Sequence, residues 1–270
     1  PYIFMYLMNK LYKMKKILLL TLLLSTSVSF SQIMVLFELE THDKDNMEKV
    51  AENYFSAVQA VTGDNIGMTM HHKGWSSKTV YFTIWYDNMK DMAEKMGRQE
   101  EMESEIFEKL SSTPLDPEMI NTFNAISNPK QSSVWEYVPE LSMMEDFMNL
   151  PKEERDSFRY RRFQYVNVAM NAGPAYEARS IKAKTLDKER GIKIHLAVFR
   201  NVFGTTDANY LNILIDKNRL DYMKNFSDRM TKRRASEDWG KNPNPWDLSL
   251  YNVTKMEEVV KNLDFKIQTN

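Results

Sequence analysis

The segment NIGMTMHHKGWSSKTVYFTIWYD, residues 65–87, has the pattern of a β-hairpin. Apolar residues alternate with polar or small residues on both sides of a turn at residues 74–78, and this two-residue period is typical of strands. A second segment, GIKIHLAVFRNVFGTTDANYLNILID at residues 191–216, has the same order of strand, glycine-containing turn, strand and terminal aspartate. Two such hairpins in one chain predict an internal duplication.

The same elements recur around each hairpin. In the first half the patterns predict a strand over residues 33–40, a helix ending near Gly63, the hairpin, a helical stretch over 89–110 and a strand over 132–138. The second half repeats this order with a strand over 163–170, a helix over 174–190, the hairpin, a helix marked by Leu220, Met223, Phe226 and Met230, and a strand over 248–253. A short helix is predicted over 256–263. Each half therefore reads β-α-β-β-α-β, the ferredoxin-like arrangement.

This order predicts an α+β fold made of two ferredoxin-like repeats. Residues 32–138 form the first repeat, 139–160 a bridging helix and linker, and 161–270 the second repeat, while residues 1–31 hold a signal peptide and upstream residues. The helices of such a repeat cover one face of its sheet and leave the other face without a partner. We therefore expect the two sheets to pack face to face as an intrachain α+β barrel.

Two fused repeats of this kind resemble the dimeric α+β barrel superfamily, and the resemblance covers nearly all of residues 32–270. Members of that superfamily include cofactor-independent monooxygenases, haem-degrading enzymes and chlorite dismutase-like haem proteins. Their ligands sit between the helices and the sheet or inside the barrel. The resemblance implies a monomer or a homodimer, and haem is one cofactor that it brings into consideration.

Strand alternation identifies candidate ligand-binding residues, because successive side chains of a strand face opposite ways. If the more apolar sides pack under the helices, the other face mixes aromatic and polar groups, which is the usual make-up of a small-molecule site. In the first half these residues are Glu38, Thr69, His71, Tyr81, Thr83 and Trp85. In the second half they are Phe163, Tyr165, Asn167, His195, Phe199, Tyr210 and Asn212.

Three of these residues are candidates for catalysis. His71 and His195 are general-base or haem-ligand candidates, and Glu38 is placed to form an acid–base couple with His71. A histidine on a strand also serves as a hydrogen-bonded structural residue. His71 and His72 point to opposite faces of one strand and cannot chelate one ion, so we predict no metal site.

Residues 14–32, MKKILLLTLLLSTSVSFSQ, have the pattern of a cleaved secretory signal. Two lysines precede an apolar run that is shorter than the ~20 residues of a membrane span, and small residues precede a cleavage site before Gln32. We expect an exported protein, periplasmic or extracellular, with no membrane span after cleavage. The chain has no cysteine, which excludes disulfides and thiolate metal sites.

The remaining features separate three hypotheses. A formal net charge of -1 gives no reason to expect a nucleic-acid partner, and the chain has no GxSxG, HExxH or glycine-rich phosphate motif. The first hypothesis is a barrel that binds a small apolar or aromatic molecule in its interior. The second is an enzyme of the monooxygenase or haem-handling type. The third is a protein-interaction module that uses Trp75 in the first hairpin turn and the NPNPW loop around Trp239 and Trp246.

Overall fold

The computed structural model describes residues 32–41, 44–73, 78–111, 130–169, 171–204, 206–237 and 251–265. The strands are β1 Ile33–Glu40, β2 Gly67–His72, β3 Thr79–Tyr86, β4 Gln131–Tyr137, β5 Tyr160–Val168, β6 His195–Gly204, β7 Tyr210–Asp216 and β8 Tyr251–Phe265. The helices are α1 Lys44–Thr62, α2 Met89–Glu101, α3 Glu103–Ser111, α4 Glu145–Met148, α5 Lys152–Ser157, α6 Gly173–Glu189 and α7 Arg219–Arg234.

The strands form one closed barrel in the order β1-β3-β2-β8-β5-β7-β6-β4. Read by halves, this is β4-β1-β3-β2 followed by β8-β5-β7-β6, so both halves have the same ferredoxin-like strand order. Antiparallel pairing of β2 with β8 and of β4 with β6 joins the two sheets at both edges. The predicted α+β fold of two repeats closed into a barrel is confirmed, and the closure pairs both outer edges of each described sheet.

Every neighbouring pair in the barrel is antiparallel, so β1, β2, β5 and β6 all run in one direction. We call the end of the barrel where these four strands finish the upper end, and the end where they begin the lower end. Glu40 and His72 therefore lie at the upper end. Tyr160 and His195, the first residues of β5 and β6, lie at the lower end.

A glycine allows the two halves to approach closely where β6 pairs with β4. Gly204 lies opposite Ser133 and has a φ of 135°, which side-chain-bearing residues rarely adopt. A Cβ atom at this position would lie 2.4 Å from the Cα of Ser133. The edge-to-edge closure of the barrel thus depends on the absence of a side chain here.

The helices lie on the outside of the barrel and bury apolar clusters against it. α1 and α3 cover a cluster in the first half that includes Met47, Phe55, Met70 and Phe82. α2 covers a second cluster there, made of Ile33, Val35, Tyr86, Met92 and Val134. α6 covers a cluster of the second half that includes Tyr176 and Tyr210.

Helices α2 and α7 occupy equivalent places in the two halves, and their N-terminal caps show this directly. The Asn88 side chain accepts a hydrogen bond from the Asp91 backbone N–H at 2.9 Å, and Asn218 accepts one from the Asp221 N–H at 2.9 Å. Counting onward from the two asparagines pairs Met92 with Tyr222, Met96 with Phe226 and Gln99 with Arg229. These pairs allow the two helix–sheet interfaces to be compared position by position.

The helix predicted over residues 256–263 is wrong, because these residues form the middle of β8. Alternate residues Glu257 and Val259 are buried while Met256 is exposed, which is a strand pattern. Glu, Met and Leu favour a helix by local propensity, yet β8 pairs with β5 on one side and with β2 on the other. Tertiary pairing that closes the barrel overrides the local preference here.

The bridging segment between the halves closes the lower end of the barrel. Phe147 in α4 and Phe158 after α5 are buried and belong to the same cluster as the interior side chains of the strands. Their rings meet edge to face with centroids 5.4 Å apart. The segment that links the two halves is therefore also part of the barrel core.

Within the described ranges, no helix is long and apolar enough to span a bilayer.

Candidate functional site

The structure places most of the predicted lining residues on the interior side of the barrel. Cross-strand register and alternation put Glu38, Thr69, His71, Tyr81, Thr83 and Trp85 of the first half on that side. Phe163, Tyr165, Asn167, His195 and Phe199 of the second half share it.

The predicted orientation of Tyr210 and Asn212 is wrong, because both lie on the helix side of β7. Tyr210 packs on Tyr176 of α6 with ring centroids 4.6 Å apart and donates a hydrogen bond to Glu177 at 2.7 Å. The alternate residues Leu211 and Ile213 face the barrel interior instead. The prediction assigned the more apolar side of β7 to the helices, but the interior of this barrel is itself apolar.

Aromatic side chains fill the described part of the interior. Tyr81, Trp135 and Phe163 each have 0% of their surface exposed, and Phe163 packs against both Tyr81 and His71 with ring centroids 5.6 and 5.5 Å away. Side chains with no accessible surface leave no space beside them for even a water molecule. This packing has the character of a hydrophobic core and argues against a ligand among these rings.

His71 is enclosed in that core. Its Nε2 lies 3.5 Å from the Thr83 hydroxyl, and its buried Nδ1 has no hydrogen-bond partner among the described residues. Burial holds the pKa of His71 well below its ordinary value, and the positive charges of Arg161 and Lys261 lower it further. His71 is therefore neutral at neutral pH, and its side chain is almost fully buried.

The predicted couple of Glu38 with His71 does not form, because Glu38 has another partner. Lys255 on β8 donates to the Glu38 carboxylate at 2.5 Å and also lies 5.2 Å from the centre of the Tyr165 ring. Lys73 pairs with Glu257 at 2.7 Å. Both ion pairs join the first half to the second at the upper end of the barrel. They therefore hold the two halves together.

His195 lies at the lower end of the barrel, beside the bridging segment. Its imidazole packs against Phe147 and Phe158 with ring centroids 5.3 and 5.2 Å away. Its buried Nδ1 has no hydrogen-bond partner among the described residues. Burial lowers the pKa of His195, and Arg161 lowers it further while Asp146 opposes the shift. The side chain is therefore a neutral imidazole at neutral pH.

His195 also opens into a cleft of about 320 Å³ between α7 and the sheet, which we call the α7 cleft. The volume is at the lower end of the range for small-molecule sites. The lining consists of Phe158, Lys193, Ile194, His195, Leu214, Ile215, Asp216, Lys217, Asp221, Tyr222, Lys224, Asn225, Phe226 and Arg229. Apolar walls from the sheet and charged groups from α7 thus face a common space.

Arg229 is the most unusual residue of the α7 cleft. Its side chain is 8% exposed, and its guanidinium makes no hydrogen bond or ion pair with any residue that the structure describes. The centroid of the Phe226 ring lies 5.2 Å from the guanidinium carbon. Asp187 and Asp216 attract the charge only across a longer distance. Burial and the neighbouring Arg233 lower the pKa of Arg229 to about 10, so the group stays positively charged at neutral pH.

The acidic group in the α7 cleft is Asp216, and it has a partner of its own. The Asn225 amide donates to its carboxylate at 2.7 Å. Burial raises the pKa of Asp216, while the Asn225 hydrogen bond acts in the opposite direction. Asp187, another buried carboxylate of the second half, is held by Arg233 through two hydrogen bonds. Neither carboxylate therefore neutralises Arg229 by direct contact.

Sequence reasoning identified His195 but missed Arg229. The apolar pattern Leu220–Met223–Phe226–Met230 predicted the helix correctly, yet Leu220 and Met223 are exposed and the buried positions of α7 are Tyr222 and Arg229. A signal was present, because Tyr222, Phe226, Arg229 and Arg233 recur at helical spacing on one face. Basic residues at the end of a helix are usually solvated, so this spacing alone did not indicate a buried arginine.

The described residues do not fit haem or a metal ion. No group of three His, Asp or Glu side chains suited to a metal occurs in the described ranges. His71 is enclosed by the core, and the imidazole of His195 is flanked by two phenylalanine rings. The predicted interaction residues Trp75, Trp239 and Trp246 lie outside the described residues.

We compared the chain with protein-family models, curated proteins and solved structures. No protein-family model and no curated protein matches the chain. Similar solved structures include a candidate monooxygenase from Lactobacillus acidophilus NCFM, at 10% identity and a TM-score of 0.47, over 87% of this chain and 95% of that chain. An anthrone oxidase-like protein is 11% identical with a TM-score of 0.48, over 87% and 92% of the two chains.

A variant chlorite dismutase from Candidatus Nitrospira defluvii, solved with cyanide, is 9% identical with a TM-score of 0.48, over 90% of this chain and 94% of that one. This chain has the dimeric α+β barrel fold. Its strand order and its closure at two edges establish that, and the resemblance predicted from the sequence is confirmed at the level of fold. Sequence identities this low say nothing about activity.

Proposed function

We propose that the protein binds a small organic molecule with an apolar or aromatic body in the α7 cleft. The observation that carries the proposal is the cleft itself, where Leu214, Tyr222 and Phe158 form apolar walls around two unpartnered polar groups, those of His195 and Arg229. A site with apolar walls and a few convergent polar groups is the usual form of a small-molecule site. We thus propose the space between α7 and the sheet as the ligand site, in place of the barrel interior expected from the sequence.

The experiment compares two equivalent positions. Lys224 lines the α7 cleft, and Glu94 is its counterpart on α2, counted from the two capping asparagines. We would titrate small aromatic compounds such as naphthol, naphthoate and naphthamide into the protein by calorimetry. The variant Lys224→Trp places an indole at the cleft and Glu94→Trp places the same group outside it.

Saturable binding by the wild type, loss of at least about tenfold in affinity for Lys224→Trp and no change for Glu94→Trp would support the proposal. Absence of binding by every compound, or equal effects of the two variants, would overturn it. Circular dichroism of both variants would verify that each is folded.

We further propose that the protein is exported and that its signal sequence is cleaved before Gln32. The support is the sequence of residues 14–32 described above. Mass spectrometry of the protein recovered from a secreting host would give a mature chain beginning at Gln32. An uncleaved chain retained in the cytoplasm would contradict export.

A further inference from the structure

The buried guanidinium of Arg229 indicates which chemical group the ligand carries. A buried charge that lacks a partner destabilises a fold, and in proteins such groups are normally paired and hydrogen-bonded. Arg229 has neither kind of partner among the described residues, although it lines a cleft that is open to ligands. The group that completes it therefore has to come from outside the described residues.

The fold itself does not require a cation at this position. Gln99 occupies the equivalent place on α2, and the first-half sheet packs beneath that helix with a neutral side chain there. A positive charge at this position occurs only in the second half, at Arg229. Because Arg229 lines the α7 cleft, we interpret its charge as part of a binding site.

The surroundings of the cleft favour an anion. Lys193 and Lys224 line the same cleft, are exposed and form no ion pair with a described residue. Asp216 is bound to Asn225, and Asp221 lies beside the capping asparagine Asn218, whose amide donates to its carboxylate at 2.7 Å. The uncommitted charges that face the cleft are therefore positive.

We propose that the ligand of the α7 cleft is a carboxylate with an apolar or aromatic body, and that Arg229 binds the carboxylate. The planar guanidinium offers two parallel N–H donors, which match the two oxygens of a carboxylate. The body of the ligand packs on Leu214 and Tyr222, which line the same cleft. This inference rests on the proposed function, because it names the ligand class of the same site.

The experiment uses two probes of nearly the same shape, naphthoate and naphthamide, of which the first is charged and the second neutral. With the wild-type protein, we expect naphthoate to bind at least about tenfold more tightly than naphthamide. In Arg229→Gln this preference disappears, while the affinity for naphthamide changes less than about twofold. Arg229→Lys keeps the charge but loses the planar pair of donors, so it retains part of the preference.

A matched control is Arg98→Gln, because Arg98 lies on α2 and pairs with Asp64 at 2.6 Å outside the α7 cleft. This variant keeps the full preference for naphthoate. Naphthyl phosphate is a third probe, and tighter binding of the phosphate than of the carboxylate would overturn the assignment of a carboxylate.

The outcomes separate this inference from the proposed function. Equal binding of naphthoate and naphthamide by the wild type would overturn the carboxylate while leaving a ligand site in place. A preference for naphthoate that survives in Arg229→Gln would overturn the role of Arg229. Binding of none of the probes would remove the proposed function, and the inference with it.

Discussion

The two halves of the barrel use the same helix in two different ways. α2 of the first half lies on a cluster of fully packed apolar side chains, with Met92 and Tyr86 at its centre. α7 of the second half begins with the same asparagine cap but leaves a cleft beside Arg229 and Asp216. Because one topology supports both arrangements, the cleft is not a requirement of the fold. The α2 interface can therefore serve as a control for experiments on the α7 interface.

The same contrast separates the two histidines predicted to be functional. Both lie on the interior side of a strand, but His71 sits within the packed core and His195 sits at the lower rim. Strand alternation tells which way a side chain points and says nothing about what packs around it. That packing decides whether a polar side chain can meet a ligand.

The largest effect is expected where the packed interface loses a side chain. Met92→Ala should lower the free energy of unfolding by about 2–4 kcal/mol, because it leaves a cavity in a fully buried cluster. Phe226→Ala, at the cleft, should cost only about 1–2 kcal/mol, because Phe226 is already 38% exposed. Urea unfolding of the two variants measures both. Equal losses would show that the two interfaces are packed alike.

A second prediction sets a paired arginine against an unpaired one. Arg233→Met should lower the free energy of unfolding by about 2–4 kcal/mol, because it leaves Asp187 buried without its partner. Arg229→Met removes an unpaired buried charge and keeps a side chain of similar length. The free energy of unfolding of Arg229→Met should therefore stay within about 1 kcal/mol of the wild-type value or exceed it.

Thermal or urea unfolding of these two variants in the absence of ligand is the measurement. A loss of stability in Arg229→Met as large as that in Arg233→Met would mean that Arg229 has a structural partner. That result would remove the main support for an anionic ligand.

A third, smaller effect concerns acid stability. The folded-state pKa of His71 is lowered by burial, so the unfolded chain binds a proton more readily than the folded one. Above the ordinary histidine pKa both states are neutral and the group has no effect on stability. As the pH falls below that value the unfolded state gains the proton first, and stability is lost.

The matched variants are His71→Gln and His195→Gln. His195 is less deeply buried, so its pKa is lowered less strongly and its share of the acid-dependent loss is smaller. Urea unfolding at a series of pH values, from neutral to acidic, gives the free energy of unfolding as a function of pH. We expect this free energy to fall less steeply with decreasing pH in His71→Gln than in His195→Gln. If the pH dependence of the free energy of unfolding is the same in His71→Gln as in the wild type, His71 is protonated in the folded state.

Much of the fold could be predicted from the sequence, because local periodicity encodes it. The strand over residues 33–40 has the same bounds in the structure, and both hairpins and the repeated element order are present. The side of the sheet on which the candidate residues of the first half lie was also predicted correctly from strand alternation. Glu38, Tyr81 and Trp85 all face the interior as expected.

The errors arise where local pattern and tertiary environment disagree. β7 has apolar residues on both faces, so alternation gave no basis for choosing between Tyr210 and Leu211 as the interior residue. The helical propensity of residues 256–263 is overridden by pairing with two neighbouring strands. The α7 cleft depends on how the helix packs against the sheet, and periodicity along the chain does not encode that packing.

The most direct test is a crystal structure of the protein soaked with naphthoate. We expect density for the aromatic ring between α7 and the strands β6 and β7, with the carboxylate at hydrogen-bonding distance from the Arg229 guanidinium. Density inside the barrel among Tyr81, Trp135 and Phe163, or a cleft that stays empty while the compound binds elsewhere, would contradict it.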